Sequence, residues 1–103
     1  MDKLPGLGDM GGMLKQLRQL QSDLAKAQKE LARQTVTAEV EGGAIKVVIT
    51  GDQRITSLEI APELAADPQK LSKLLMEATN QALEASREMA KDRLGPLSQG
   101  FGL

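Results

Sequence analysis

The stretch of sequence that decides the fold covers residues 35–60 and reads TVTAEVEGGAIKVVITGDQRITSLEI. It contains three short runs in which aliphatic residues alternate with polar ones, the pattern of half-buried β-strands. The pair Gly42-Gly43 separates the first two runs, and Gly51-Asp52-Gln53 separates the second from the third. Because glycine accepts a positive φ, the first break is typical of a tight hairpin turn. The stretch predicts a three-stranded antiparallel meander with strands over 35–41, 44–50 and 54–60.

A helical pattern precedes this meander and another follows it. The first helix is predicted over Met10–Gln34, with Asp9 as its capping residue. The second begins at Asp67-Pro68, a capping carboxylate followed by proline at the first helical position. It is expected to end at Leu94, before Gly95-Pro96. The predicted fold is therefore α+β, a helix, a three-stranded antiparallel meander and a helix (α-β-β-β-α). The first predicted helix, called α1 below, carries an apolar stripe with seven-residue repeats. This α1 seam comprises Met10, Met13, Leu17, Leu20, Leu24, Ala27 and Leu31.

The second helix carries two apolar stripes. The broader one is suited to covering the sheet, and it comprises Leu71, Leu74, Leu75, Ala78, Ala82, Ala85 and Met89. The other, Met76, Leu83 and Ala90, recurs every seven residues on another side of the helix. It is either the edge of a wide core face or a contact with a further helix across a dimer.

Length and composition indicate one small domain. The chain has 103 residues, and this length leaves little room for a second domain. Its formal charge is −1. Residues 10–94 are expected to form a single folded unit, and the glycine-rich segments 1–9 and 95–103 are expected to be a flexible arm and a flexible tail. No run of about 18 apolar residues and no secretory signal is found, so a cytoplasmic protein without a membrane partner is expected.

The amino-acid composition excludes most catalytic chemistry. Cysteine and histidine are absent, so the chain has no thiol nucleophile, no imidazole base and no zinc site of the usual kind. Phosphate-binding loops and nucleophile elbows are also missing. We therefore expect neither an enzyme nor a cofactor, a metal or a small-molecule substrate. Phe101 is the only aromatic residue, and oligomerisation is a common way to complete so small a core.

The first helix is the basic element of a nearly neutral chain. Residues 10–34 hold five cations against two acids, whereas residues 35–66 hold two cations against five acids. The five cations are spaced three or four residues apart, with Ser22 filling one place, so they form a row almost opposite the α1 seam. This basic row comprises Lys15, Arg18, Lys26, Lys29 and Arg33. It is either a solvated face or a phosphate-binding surface for duplex DNA.

A second function is compatible with the same helix. In this alternative the protein is a small interaction adapter whose α1 seam binds a partner helix, and the cations only solvate the outer face. The sequence pI of about 5.4 is lower than nucleic-acid-binding domains usually show, which keeps this alternative open. A dimer would favour DNA, because two chains offer twice the charge to one duplex.

Several motifs resemble those of the YbaB/EbfC nucleoid-associated protein family. They are the run GGAIKVVITG over 42–51, the positions Ile55, Leu58, Glu59 and Ile60 after it, and the run ATNQAL over 78–83. The glycine-rich start with Met10 and Met13 and the glycine-rich tail are similar as well. The resemblance covers residues 10–94 in order. One departure is Ala44, where members commonly continue the glycine run.

The resemblance implies a function as well as a fold. It implies that 10–94 is a DNA-binding and dimerisation domain, and that the protein is a homodimer with protruding helices. It further implies a bacterial protein of the cytoplasm and nucleoid that binds duplex DNA with little or modest sequence specificity and influences chromosome organisation and gene expression. Family members are said to bind DNA through the terminal helices. On this chain that corresponds to the basic row, with Arg87 and Lys91 as additions on the second helix.

Overall fold

The computed structural model describes residues 7–99, with side chains described for residues 10–97. Its elements are α1 (Leu7–Arg33), β1 (Thr35–Val40), β2 (Ile45–Thr50), β3 (Ile55–Ile60) and α2 (Pro68–Gln99). Two short 3₁₀ turns, Glu41–Gly43 and Pro62–Ala66, join β1 to β2 and β3 to α2. The predicted α-β-β-β-α fold is confirmed.

The hydrophobic core lies between α2 and one face of the sheet. The sheet is antiparallel with the order β1-β2-β3. Val47 pairs with Ala38 on β1 and with Leu58 on β3, so these three side chains share a face. The helix α2 packs over β1 and β2 but leaves β3 at the uncovered edge. The buried core comprises Ala38, Val40, Ile45, Val47, Ile49, Leu64, Leu74, Ala78 and Ala82.

The other face of the sheet is open and polar. Glu39, Lys46 and Glu59 lie side by side on the three strands, and the Lys46 ammonium is 3.8 Å from the Glu39 carboxylate. Both side chains of this pair are about half exposed, so the contact stabilises the sheet only weakly. The charged face needs no cover, and one helix layer is sufficient for the fold.

The connection between β1 and β2 is longer than the predicted two-residue turn. Glu41, Gly42 and Gly43 have φ values of 51°, 63° and 94°, which only the glycines adopt without strain. Ala44 has a φ of −62°, an ordinary right-handed value. Alanine therefore fits at position 44, and the departure from the glycine run adds no strain to the turn.

Two predicted helix ends were wrong and one was confirmed. The helix α1 begins at Leu7, so Asp9 lies within it and is not the capping residue. The helix α2 continues through Gly95-Pro96 to Gln99, although proline removes one backbone hydrogen bond. Half-buried Leu94 and Leu97 on both sides of Pro96 favour a continued helix. The cap of α2 is confirmed, because the backbone N–H of Lys70 donates to Asp67 Oδ1 at 3.1 Å.

These bounds also bear on the predicted end segments. Residues 7–9 and 95–99, which were assigned to a flexible arm and a flexible tail, are helical. Residues 1–6 and 100–103, which make up the rest of those two segments, lie outside the described residues. The flexibility of the two ends therefore stays a prediction.

The turn between β2 and β3 fastens the end of α1 to the body. The N–H of Gly51 donates to the carbonyl oxygens of Leu31 at 2.8 Å and of Gln34 at 3.0 Å. Leu31 lies in the last turn of α1 and Gln34 directly follows the helix, so their carbonyls lack helical partners. Next to this contact, the fully buried Ser86 hydroxyl of α2 donates to the Thr50 carbonyl at 2.8 Å. Both helices and the sheet therefore meet at one turn.

We expect Gly51→Ala to destabilise the protein by about 1–3 kcal/mol, the range for overpacking a filled site. An added Cβ would lie 2.6 Å from Leu31 Cδ2 and 2.9 Å from the Leu31 carbonyl oxygen. Urea unfolding followed by circular dichroism measures the change. Gly11→Ala is the control, because nothing lies within 4 Å of its Cβ and alanine favours a helix. A Gly51→Ala variant as stable as wild type would contradict the close contact.

Candidate nucleic-acid interface

The first helix is fastened at one end and projects at the other. Ala27 and Leu31 are buried against the body, with 0% and 3% of their surfaces exposed. Every residue over 10–19 is exposed, and Leu20 is half-buried. The described chain is 80 Å long and less than 20 Å wide in both other directions. Residues 10–20 extend beyond the packed part of α1. From here on we call these residues the arm, and the name no longer refers to the flexible segment predicted over 1–9.

The basic row lies on the solvent side of α1 along its whole length. Ala27 and Leu31 turn the seam toward the body, so the opposite side of the helix faces water. All five members of the row are exposed, as the sequence predicts. Lys15 and Arg18 belong to the arm, and the other three lie along the fastened half. The structure thus keeps the five cations together on one surface.

No member of the row is neutralised by a side chain of residues 10–97. The ion pairs between these side chains are Lys46–Glu39, Arg87–Glu84 and Arg93–Glu30, and none includes a cation of the row. Positive charges of this kind are available to an external polyanion. The row is about 27 Å long at about 1.5 Å per residue.

The side chains described for α1, those of residues 10–33, include two acids, and both are engaged. Asp23 Oδ1 accepts a hydrogen bond of 3.0 Å from the side-chain amide of Gln19. Glu30 Oε2 accepts a hydrogen bond of 2.8 Å from Arg93 Nε, and Arg93 Nη2 lies 2.7 Å from the same oxygen. Arg93 on α2 therefore offsets the acid nearest to Lys29 and Arg33. Sequence patterns could not have found this pair, because its members are 63 residues apart.

Arg87 and Lys91 lie apart from the basic row. They are exposed on a flank of α2 that forms a shallow groove with Gly51 and Gln53 of the β2–β3 turn. The Arg87 guanidinium lies 3.6 Å from the Glu84 carboxylate, a solvent-exposed pair one helical turn apart. The structure thus places these two predicted residues on a second, smaller basic patch.

An apolar surface remains open at the β3 edge of the sheet. Ile55, Leu58 and Ile60 are 46%, 48% and 38% exposed although they share the face that α2 covers elsewhere. Ile55 reaches this face through a bulge at Thr56, since Ile49 pairs with Ile55 and Val48 with Ser57. We call Ile55, Leu58 and Ile60 the β3 shelf.

The second apolar stripe of α2 lies on the flank of the helix that reaches the β2–β3 turn. Ala90 lies in the groove beside the β2–β3 turn, whereas Ala85 on the other flank lies beside Val36 of β1. The stripe therefore lies on the β3 side of the helix. Its member Met76 is 63% exposed. The large apolar side chains of the β3 shelf and Met76 are thus all exposed in the described part of the chain.

Comparison with known proteins decides the family. The model of the YbaB/EbfC DNA-binding family matches residues 7–101 of this chain. The chain belongs to this family. Membership confirms the family predicted from the motifs of the strands and of the second helix, and with it the predicted DNA-binding role.

Individual relatives extend over almost the whole chain. A protein of Chlorobium luteolum is 36% identical over 96 residues, which are 93% of this chain and 88% of the relative. A protein of Streptomyces griseus is 38% identical over 104 residues, and the match spans 96% of this chain and 90% of the relative. Both are named nucleoid-associated protein. The crystal structure of an uncharacterised protein from Helicobacter pylori shares the fold, with a TM-score of 0.72 and 23% sequence identity. The superposed part covers 89% of this chain and 91% of that protein.

Neither described helix has the combination of length and hydropathy that crossing a bilayer requires. Over the same part of the chain, no three acidic side chains come together in a way that could hold a metal ion. The charged groups that the basic row of this YbaB/EbfC protein presents are the side chains of lysine and arginine.

Proposed function

We propose that this YbaB/EbfC protein is a nucleoid-associated homodimer that binds duplex DNA through phosphate contacts of the basic row. The observation that carries the proposal is a row of five exposed cations, none of them neutralised by a side chain of residues 10–97. A duplex presents one phosphate charge per about 1.7 Å of its axis, so a row of about 27 Å meets many phosphates. The relatives' shared name supports a place in the nucleoid.

Phosphate contacts of this kind position a protein without reading base sequence. The row contains only lysine and arginine, and Phe101 is the chain's single aromatic residue, so no base-stacking platform accompanies it. Low or modest sequence specificity follows. A protein of this type acts on chromosome organisation and gene expression through where and how densely it covers DNA.

The homodimer is supported by the open apolar surface at the β3 edge. Three large aliphatic side chains of the β3 shelf stay 38–48% exposed, and Met76 of the second α2 stripe is 63% exposed. The outer edge of β3 also has backbone groups without a strand partner. A second copy covers this surface with its own identical surface around a two-fold axis. The dimer then offers two basic rows to one duplex.

Arg87 and Lys91 are proposed as secondary phosphate ligands. They lie at the groove beside the β2–β3 turn, next to the surface assigned to the dimer. Glu84 competes for Arg87, so these two cations contribute less than the row does.

The salt dependence of DNA binding tests the proposal. For duplex DNA the slope of log K against log salt is about −0.9 per phosphate contact. We expect about −4.5 if five contacts of one row form, and about −9 if both rows of a dimer bind one duplex. Fluorescence anisotropy at several salt concentrations, with three duplexes of unrelated sequence, measures both slope and specificity. Salt-insensitive affinity, or affinities that differ more than about 1,000-fold between duplexes, would contradict phosphate recognition.

A further inference from the structure

The arm carries apolar side chains that are exposed to solvent, because this part of α1 projects from the body of the protein. Met10, Met13, Leu14 and Leu17 are 56%, 59%, 51% and 46% exposed, although most of the α1 seam below them is buried or half-buried. They lie on one side of a helix that projects from the body, and the β3 shelf is on another element. Four neighbouring aliphatic side chains at this exposure form a typical contact surface for a second helix.

The spacing of the arm seam is the same in both directions. Met10, Met13, Leu17 and Leu20 are separated by three, four and three residues. Two copies placed antiparallel therefore match, with Met10 opposite Leu20 and Met13 opposite Leu17. A parallel arrangement would place both bodies at the same end of the pair, whereas the antiparallel one keeps them at opposite ends. The pattern favours a second copy of this chain over an unrelated helix.

The charges of the arm also favour a second copy. Within the arm the residues that flank the seam are Leu14 and Gln16, neither of which is charged. Lys15 and Arg18 lie farther round the helix, on the outer side. Two arms can therefore approach without placing like charges against each other, which would otherwise destabilise the pair.

We propose that the arms of two copies, each from a different dimer, pair antiparallel through Met10, Met13, Leu17 and Leu20. Only eleven residues of each helix overlap, so the contact is weak and depends on concentration. The basic rows remain on the outside of the pair. The pairing itself does not depend on DNA; its consequence, the bridging of two duplexes by linked dimers, rests on the proposed function.

Cysteine cross-linking tests the pairing without background, because the chain contains no cysteine. Met13→Cys and Leu17→Cys proteins are mixed in equal amounts and oxidised, and the linked peptides are identified by mass spectrometry. We expect links between positions 13 and 17 to outnumber links between identical positions at least about fivefold, since the two Cβ atoms of an antiparallel pair come within disulfide reach. Ser22→Cys on the opposite side of the helix is the control.

Each alternative gives a different result. Links mainly between identical positions would indicate parallel arms, and yields no higher than for Ser22→Cys would mean that the arms do not pair; both overturn the proposal. The test is repeated in the Leu58→Asp background, in which the β3-shelf dimer is expected to be absent. The 13–17 link still forms there if the arms pair, so failure of the proposed dimer is distinguished from failure of the arm contact.

The DNA consequence is measured with a variant that keeps every charge. Met13→Gln/Leu17→Gln leaves the basic row intact, so its affinity for a single duplex should stay within about twofold of wild type. Its ability to retain a free labelled duplex on an immobilised duplex should fall at least about tenfold. Retention equal to wild type would overturn bridging through the arms.

Discussion

We expect Lys26→Glu/Lys29→Glu to lower the affinity for duplex DNA by at least about 60-fold at about 0.1 M salt. At that salt concentration, release of counterions makes each phosphate contact worth about 0.9 in log K, so two lost contacts account for the factor. Charge reversal adds repulsion. If both rows of a dimer bind one duplex, the loss is roughly the square of this value. Both side chains are exposed and neither is part of the core, so the fold is expected to stay intact.

The salt dependence changes together with the affinity. The slope of log K against log salt should become shallower by about 1.8 for each bound row, because two phosphate contacts are missing. Anisotropy titrations at several salt concentrations measure both quantities. An affinity and slope equal to wild type, in a protein with an unchanged circular dichroism spectrum and mass, would exclude the basic row as the DNA surface.

A matched control separates position from net charge. Lys70→Glu/Lys73→Glu makes the same change in charge at two exposed lysines near the start of α2. They lie roughly 30 Å along α2 from Arg93, at about 1.5 Å per residue, and so are far from the fastened end of α1. We expect less than about a fivefold loss of affinity for this variant. Equal losses in the two variants would show that the overall charge governs binding.

We expect Leu58→Asp to raise the dissociation constant of the proposed dimer by about 1,000-fold or more. In a two-fold symmetric dimer both copies contribute position 58 to the interface, so the substitution occurs there twice. Each leucine lost from the centre of an interface costs about 2 kcal/mol of binding free energy. Each aspartate would in addition have to lose water on burial. Because Leu58 is 48% exposed within its own chain, the protomer should still fold. The measured mass should fall to that of one 11.0 kDa chain.

Sedimentation equilibrium measures this change, and Ser57→Asp is the control. Ser57 is the neighbouring residue on β3, and its exposed side chain lies on the polar face of the sheet. The same charge there should leave the mass unchanged. A Leu58→Asp protein that remains as dimeric as Ser57→Asp would place the dimer interface elsewhere. If the dimer is lost as expected, the salt slope of DNA binding should be about half that of wild type.

The elements of the fold were predicted from the sequence because their signals are local. Alternation along β1 and β2, the glycines of the first turn and the Asp67 cap of α2 depend on neighbouring residues only. The ends of the helices were less predictable. The helix α2 continues through Pro96, against the local preference of proline, with half-buried Leu94 and Leu97 on both sides of it.

The basic row was likewise predictable, and its surroundings were not. Spacings of three and four residues place five cations on one side of any helix. That Arg93 would offset Glu30 beside this row could not be predicted, because the two residues are 63 positions apart. The bulge at Thr56, which brings Ile55 to the apolar face, gives no signal in an alternating pattern either.

By itself the sequence determined the order of helices and strands, the apolar and charged sides of α1 and the lack of common catalytic groups. Composition and periodicity carry this information. Side chains that share one face of a helix or a strand recur along the sequence with the period of that element. Only the tertiary structure decided which part of the α1 seam is buried. The Gly51 N–H holds the last turn of α1 at the β2–β3 turn, so Ala27 and Leu31 pack against the body while Met10 through Leu17 extend beyond the reach of the core.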